Sequence, residues 1–245
     1  MSKENEDCKT ESVSVGSQFS MSVRSYFSLQ FITSAALFAR EAYRIEQEER
    51  DEVSPSQKEQ HRTYVLGSIV FSVTFLEALV NEMATDYSEE QYHHFSKMKN
   101  RLHEIIGQSW KEGIYPTSIL QKYQQTLFLT HKSAFDTGQN PYQNVYFLKG
   151  LRNRIIHFEP EHIEQLNTAP DEDIKVHTLE KRLEGKFAEN PFYADTGNAF
   201  YPEKCLGHGC AEWAVKSSVA FADRFFDKLE VDCSFRDRWS KLETK

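Results

Sequence analysis

The run Arg152-Asn153-Arg154-Ile155-Ile156-His157 puts two guanidinium groups, an amide and an imidazole within six consecutive positions. Arginine is a planar, permanently charged fork that fits phosphate oxygens. Histidine exchanges protons near neutral pH. Together they are a minimal kit for cleaving a phosphodiester without a metal, with proton transfer on the histidine and charge stabilisation on the arginine. Arg152 and His157 are the only arginine and histidine in the chain at this spacing.

The elements that must position these residues read as helices. Val145, Leu148 and Ile155, widened by Phe147 and Leu151, predict a helix from about Tyr142 to Phe158. Pro160 disfavours helix at the residue before it, so the helix ends near His157 or Phe158. His157 then lies at a helix C-terminus, where the dipole favours an imidazolium. Residues five apart on a helix diverge by about 140°, whereas residues four apart share a face. Asn153 therefore lies beneath His157, and Arg152 flanks it.

Five further helices are expected. They run from about Ser22 to Arg50, Gln57 to Asp86, Glu89 to Gln108, Thr117 to Phe135 and Cys210 to Leu229, with Asp51 to Ser56 as a break at Pro55. The second carries the stripe Val65, Ile69, Val73, Leu76, Val80, Met83 and is the expected centre of the core. Residues 161–207 are the least regular, with a short charged helix near Asp171 to Leu183 and an aromatic loop from Phe192 to Tyr201. That loop reads as packing onto the bundle, with base stacking as the functional alternative. No strand pattern of any length occurs. The predicted class is all-α, an antiparallel helical bundle. Residues 1–21 read as a disordered tail, 22–232 as one domain and 233–245 as a C-terminal tail.

At 245 residues the chain can bury a core without disulfides or metals. A net charge of -8 argues against broad, unspecific nucleic-acid binding and leaves room for a local basic site. The mean hydropathy of -0.62 fits a water-soluble protein. Four sparse cysteines make no disulfide framework and point to a reducing cytoplasm. The N-terminus lacks the apolar stretch of a signal peptide. The apolar run Thr63 to Asn81 reads as a buried core helix, and no membrane partner is expected.

Glu77 is the only charged residue between Arg62 and Glu82. A buried carboxylate needs a partner or a proton. Arg152 is the expected partner, with Asn81 one turn on and facing the same way. Cys205, His208 and Cys210 are three potential metal ligands within six positions, but no fourth ligand is nearby. They read as a Gly-rich helix entry with partly buried thiols, with zinc as the lesser alternative. No phosphate-binding Gly-rich loop, nucleophile elbow or paired metal motif is present, and no cofactor is expected.

The segment Leu151-Arg152-Asn153-Arg154-Ile155-Ile156-His157-Phe158 resembles the signature of the HEPN superfamily, an arginine, a polar residue, three variable residues and a histidine. Phe75-Leu76-Glu77-Ala78-Leu79-Val80-Asn81-Glu82 is similar to the second-helix segment of several HEPN proteins. The resemblance spans about Thr63 to Phe158, and more loosely the closing helix from Cys210. It implies a helical bundle that pairs as a homodimer. It also implies a metal-independent endoribonuclease of the kind found in phage defence, toxin–antitoxin systems or RNA processing. In that reading His157 deprotonates a ribose 2′-hydroxyl or protonates the leaving 5′-oxygen, Arg152 stabilises the transition state and Asn153 orients the histidine or the phosphate. Glu77 and Asn81 support them. The acidic chain suits a narrow RNA substrate such as a tRNA loop, and an antitoxin or regulatory subunit is a candidate partner. Other HEPN proteins have lost catalysis, so the alternative is an inactive module that binds a nucleotide or a protein.

Overall fold

The computed structural model describes residues 24–48, 53–158 and 178–245. The proposed N-terminal tail, the ends of the first predicted helix, Asp51 and Glu52, and residues 159–177, with the first part of the predicted charged helix, lie outside them. The described residues form helices and no strand: α1 (Ser28–Glu46), α2 (Pro55–Ser88), α3 (Leu102–Lys111), α4 (Ile119–Leu129), α5 (Tyr142–Ile156), α6 (Thr178–Leu183), α7 (His208–Leu229) and α8 (Arg236–Trp239).

α2 is the axis of the body. Pro55, expected as a breaker, is its first residue. Proline suits the first turn because its missing N–H has no intrahelical partner there. Ser54 and Gln57 close a capping box: the Gln57 N–H donates to Ser54 Oγ at 3.2 Å and the Ser54 N–H donates to Gln57 Oε1 at 2.9 Å. α1, α3, α5 and α7 all pack on α2, α1 most extensively. α1 buries Ala35, Ala36, Ala39 and Ala42, small residues that let it lie close. Tyr123 of α4 donates its hydroxyl to the Leu76 carbonyl at 2.7 Å, and Ser68 reaches the Ala211 carbonyl of α7 at 3.4 Å. By length and composition α2 is apolar enough to cross a bilayer, and half of its most apolar window is buried within the body.

The third helix starts later than its periodicity suggests. Asn100 and Arg101 adopt left-handed backbone, with φ of 54° and 57°, and helix begins only at Leu102. Phe95 is nonetheless fully buried, because residues 94–96 pair with the C-terminal segment. Phe95 bridges Cys233, the Ser96 N–H donates to the Asp232 carbonyl at 2.9 Å and the Ser234 N–H donates to the His94 carbonyl at 3.0 Å. The fourth helix also stops short, at Leu129, just before His131 at φ 56°.

Residues 233–245, read from the sequence as a tail, pack against the body. Trp239 is 1% exposed. It meets Phe75 edge-on at 5.4 Å, stacks on Phe226 at 6.3 Å and donates its indole N–H to Asp223 at 3.0 Å. Thr244 is buried as well, donating to Glu212 at 3.0 Å.

Candidate functional site

α5 delivers the Arg-Asn-His run as its spacing predicts. The helix ends at Ile156, and the His157 N–H donates to the Asn153 carbonyl at 2.9 Å. His157 is the first residue past the helix, and its side chain is exposed. Ile156 and Phe158 on either side are exposed too, at 50% and 60%.

The two arginines of the run have different surroundings. Arg154 pairs with Glu180 of α6 at 2.6 Å and lies 3.9 Å over the Tyr201 ring, so it ties α5 to α6 and to the aromatic loop. Arg152 is half-buried, and no ion pair neutralises it among the described residues. Its Nε is shielded from solvent and has no hydrogen-bond acceptor among the described residues. No hydrogen bond joins the side chains of Arg152, Asn153 and His157 to one another among the described residues. One chain therefore presents the three groups without closing them into a network.

The expected Glu77–Arg152 ion pair does not form. Glu77 is only half-buried on α2, and neither hydrogen bond nor salt bridge links it to Arg152 among the described residues. Water at its exposed edge solvates the carboxylate, which removes the need for a buried cation. Asn81 is engaged elsewhere: its Oδ1 accepts from Lys122 Nζ at 2.8 Å. Lys122, on α4, is 8% exposed, and its ammonium also lies 5.7 Å over the Trp110 ring. Asn81 thus satisfies a buried lysine rather than reaching α5.

The Cys205, His208 and Cys210 cluster does not converge on a point. His208 turns its Nε2 to the Thr244 carbonyl at 2.9 Å, away from the two thiols. Cys205 and Cys210 are fully buried, and burial first, then the neighbouring Cys205, pushes the Cys210 thiol well above its usual range. Among the described residues no three histidine, cysteine or acidic side chains gather as a metal site.

Sequence reasoning missed a cleft of about 610 Å3 beside the run. Gln143, Tyr146, Lys149 and Asn153 line it from α5, and Leu179 and Arg182 from α6. Among the described residues no carboxylate lines it. Lys149 donates to Ser118 Oγ, a neutral acceptor, at 3.2 Å. Arg182 is exposed and has no ion-pair partner among the described residues. The amide expected to serve the site, Asn153, therefore faces a locally cationic opening.

A second polar cluster also went unforeseen. Glu46, at the end of α1, accepts from His61 Nε2 of α2 at 2.7 Å and from the His208 N–H at the start of α7, also at 2.7 Å. His61 is 2% exposed. One carboxylate thus fastens three helices and caps the N-terminus of α7. Replacing Glu46 with Gln removes the charge that holds both donors. The expected cost is about 1–3 kcal/mol, the scale of hydrogen bonds to a buried charged group, read as a lower urea midpoint with the slope unchanged.

No family model matches the chain, and no curated protein or solved structure matches it either.

Proposed function

We propose that this chain is a HEPN-like antiparallel bundle, homodimeric and cytoplasmic, that cuts RNA without a metal. The observation that carries the reading is the placement of His157. It stands exposed just past the end of α5, one turn beyond Asn153, which lines a cleft with no acid among the described residues, and Arg152 has no ion pair among the described residues. In this mechanism His157 takes the proton of a ribose 2′-hydroxyl. The 2′-oxygen attacks phosphorus, and the bond from phosphorus to the 5′-oxygen breaks. His157 of the partner subunit protonates that leaving oxygen. The products are a 2′,3′-cyclic phosphate and a 5′-hydroxyl.

Arg152 carries the charge that builds on the non-bridging oxygens. Arg152 has no ion pair among the described residues to give up when phosphate binds. Ile156 and Phe158 are large apolar groups in water on either side of the histidine. Pairing two α5 ends would cover them and bring two histidines to one substrate. The biological setting that fits is a narrow RNA target, such as one tRNA loop, in defence or in a toxin–antitoxin pair with a regulatory subunit.

Arg152→Ala is expected to slow cleavage by about 100- to 1,000-fold while the far-ultraviolet circular dichroism is unchanged. Equal rates for wild type and variant would remove Arg152 from the mechanism. Use of the 2′-hydroxyl is tested with matched RNA and 2′-O-methyl RNA: the first is cut and the second is not.

The second reading is an inactive HEPN-like module that binds a nucleotide or a protein through the same surface. It is favoured by the lack of any acid or base bonded to His157 among the described residues of one protomer. Tight RNA binding by the wild type, with no cleavage of any RNA tried, would select it.

A further inference from the structure

We infer that the cleft between α5 and α6 holds one nucleotide of a single-stranded RNA, with its phosphate on Lys149 and Arg182 and its base against Tyr146. The inference rests on the ribonuclease reading and names the part of the substrate that flanks the cut bond.

The cleft is built by a close helix approach. A Cβ at Gly150 would lie 3.3 Å from Leu179 Cδ1, so the bare glycine lets α6 settle on α5. Lys149 of α5 and Arg182 of α6 both line the opening. Neither cation is neutralised by a carboxylate among the described residues, and the only bond of Lys149, to Ser118 Oγ, leaves two of its three donors free. Two unneutralised cations facing one space make a site for an anion with several oxygens. A volume of about 610 Å3 falls within the range of about 300–1,000 Å3 found for small-ligand sites.

The remaining lining selects among anions. Tyr146 is 59% exposed, an open aromatic face of the kind on which single-stranded bases stack. Asn153 and Gln143 add amides that both donate and accept, as the edge of a base requires. A bare phosphate would use the cations and leave the ring and amides idle. A nucleotide uses all of them. Asn153 also belongs to the Arg-Asn-His run, so a nucleotide in the cleft touches the residue one helical turn before His157.

The test is equilibrium binding of a fluorescent 2′-O-methyl RNA octamer, which the proposed chemistry cannot cut, followed by anisotropy over a salt series. Lys149→Ala/Arg182→Ala is expected to weaken binding at least tenfold and to make the log–log salt dependence shallower by about 1.4, the value for two lost contacts to a single strand. Tyr146→Ala is expected to weaken binding about tenfold with the salt slope unchanged. Lys216→Ala, a charge removed outside the cleft, is expected to change binding less than twofold. Arg182→Glu alone guards against misfolding: the position is exposed, the Lys149–Ser118 bond is untouched, and the same loss is expected.

Undiminished binding by both the double variant and Tyr146→Ala would overturn the inference, whether or not the protein cuts RNA. Competition by free AMP as strong as that by the octamer would also overturn it, in favour of a mononucleotide. A loss of binding in the double variant, in a protein whose wild type cuts no RNA, would uphold the cleft and overturn the ribonuclease reading instead.

Discussion

His157→Ala is expected to lower the rate of RNA cleavage by at least 100-fold and to leave the fold intact. The size follows from the role: a positioned general acid or base contributes about 100- to 10,000-fold. If each protomer supplies one proton-transfer group to a shared site, the substitution removes both groups at once, which places the loss toward the upper end. The intact fold follows from position. His157 lies past the last residue of α5 with an exposed side chain, so truncation opens no cavity and leaves no buried donor unmet. Thermal and urea midpoints within about 0.5 kcal/mol of wild type are expected, the usual scale for a surface change. A large stability loss would mean that His157 holds the bundle together, and the loss of cleavage would then carry no mechanistic weight.

Trp239→Ala has the largest expected effect on stability, a loss of about 3–5 kcal/mol in urea unfolding. The indole is 1% exposed and fills the space between Phe75 of α2 and Phe226 of α7. Its removal leaves a cavity lined by two aromatic rings, and Asp223 loses an N–H donor. Trp239→Phe is expected to recover most of the loss, because it restores the ring and omits only the hydrogen bond. The Trp239→Ala variant should still cut RNA under conditions where it remains folded, since α8 lies apart from the α5 end. A near-neutral Trp239→Ala would show that residues 233–245 add little to the core.

These two residues mark the limits of what the sequence makes legible. α5 and its end at His157 were readable because apolar spacing and Pro160 are both local signals. Trp239 was not, because a four-residue helix shows no period and its value lies in contacts with two distant helices. Pro55 carried the right information with the wrong sign: the same residue that breaks a helix interior starts a helix at its first turn. Asn100 is a type that tolerates left-handed backbone, but Arg101 beside it is not, and the pair interrupts the apolar period that drew the third helix too long.

The site divides in the same way. The Arg-Asn-His run is contiguous and could be found by eye. Lys149 and Arg182 line one cleft because α6 packs on α5, and no spacing rule connects them. Pairing Glu77 with Arg152 failed for a related reason. Periodicity gives the face of each helix but not the rotation of one helix against another, and a half-exposed carboxylate needs no partner. Glu46, His61 and His208 come from three helices, and each alone looks like an ordinary surface residue.

The central claim is cleavage at the 2′-oxygen by His157 without a metal. The most direct measurement is the identity of the fragment ends when wild type and His157→Ala are each incubated with RNA in EDTA. The account predicts fragments ending in 2′,3′-cyclic phosphate and 5′-hydroxyl from the wild type and none from the variant. Equal cleavage by both proteins, or wild-type cleavage that appears only when a divalent metal is added, would contradict it.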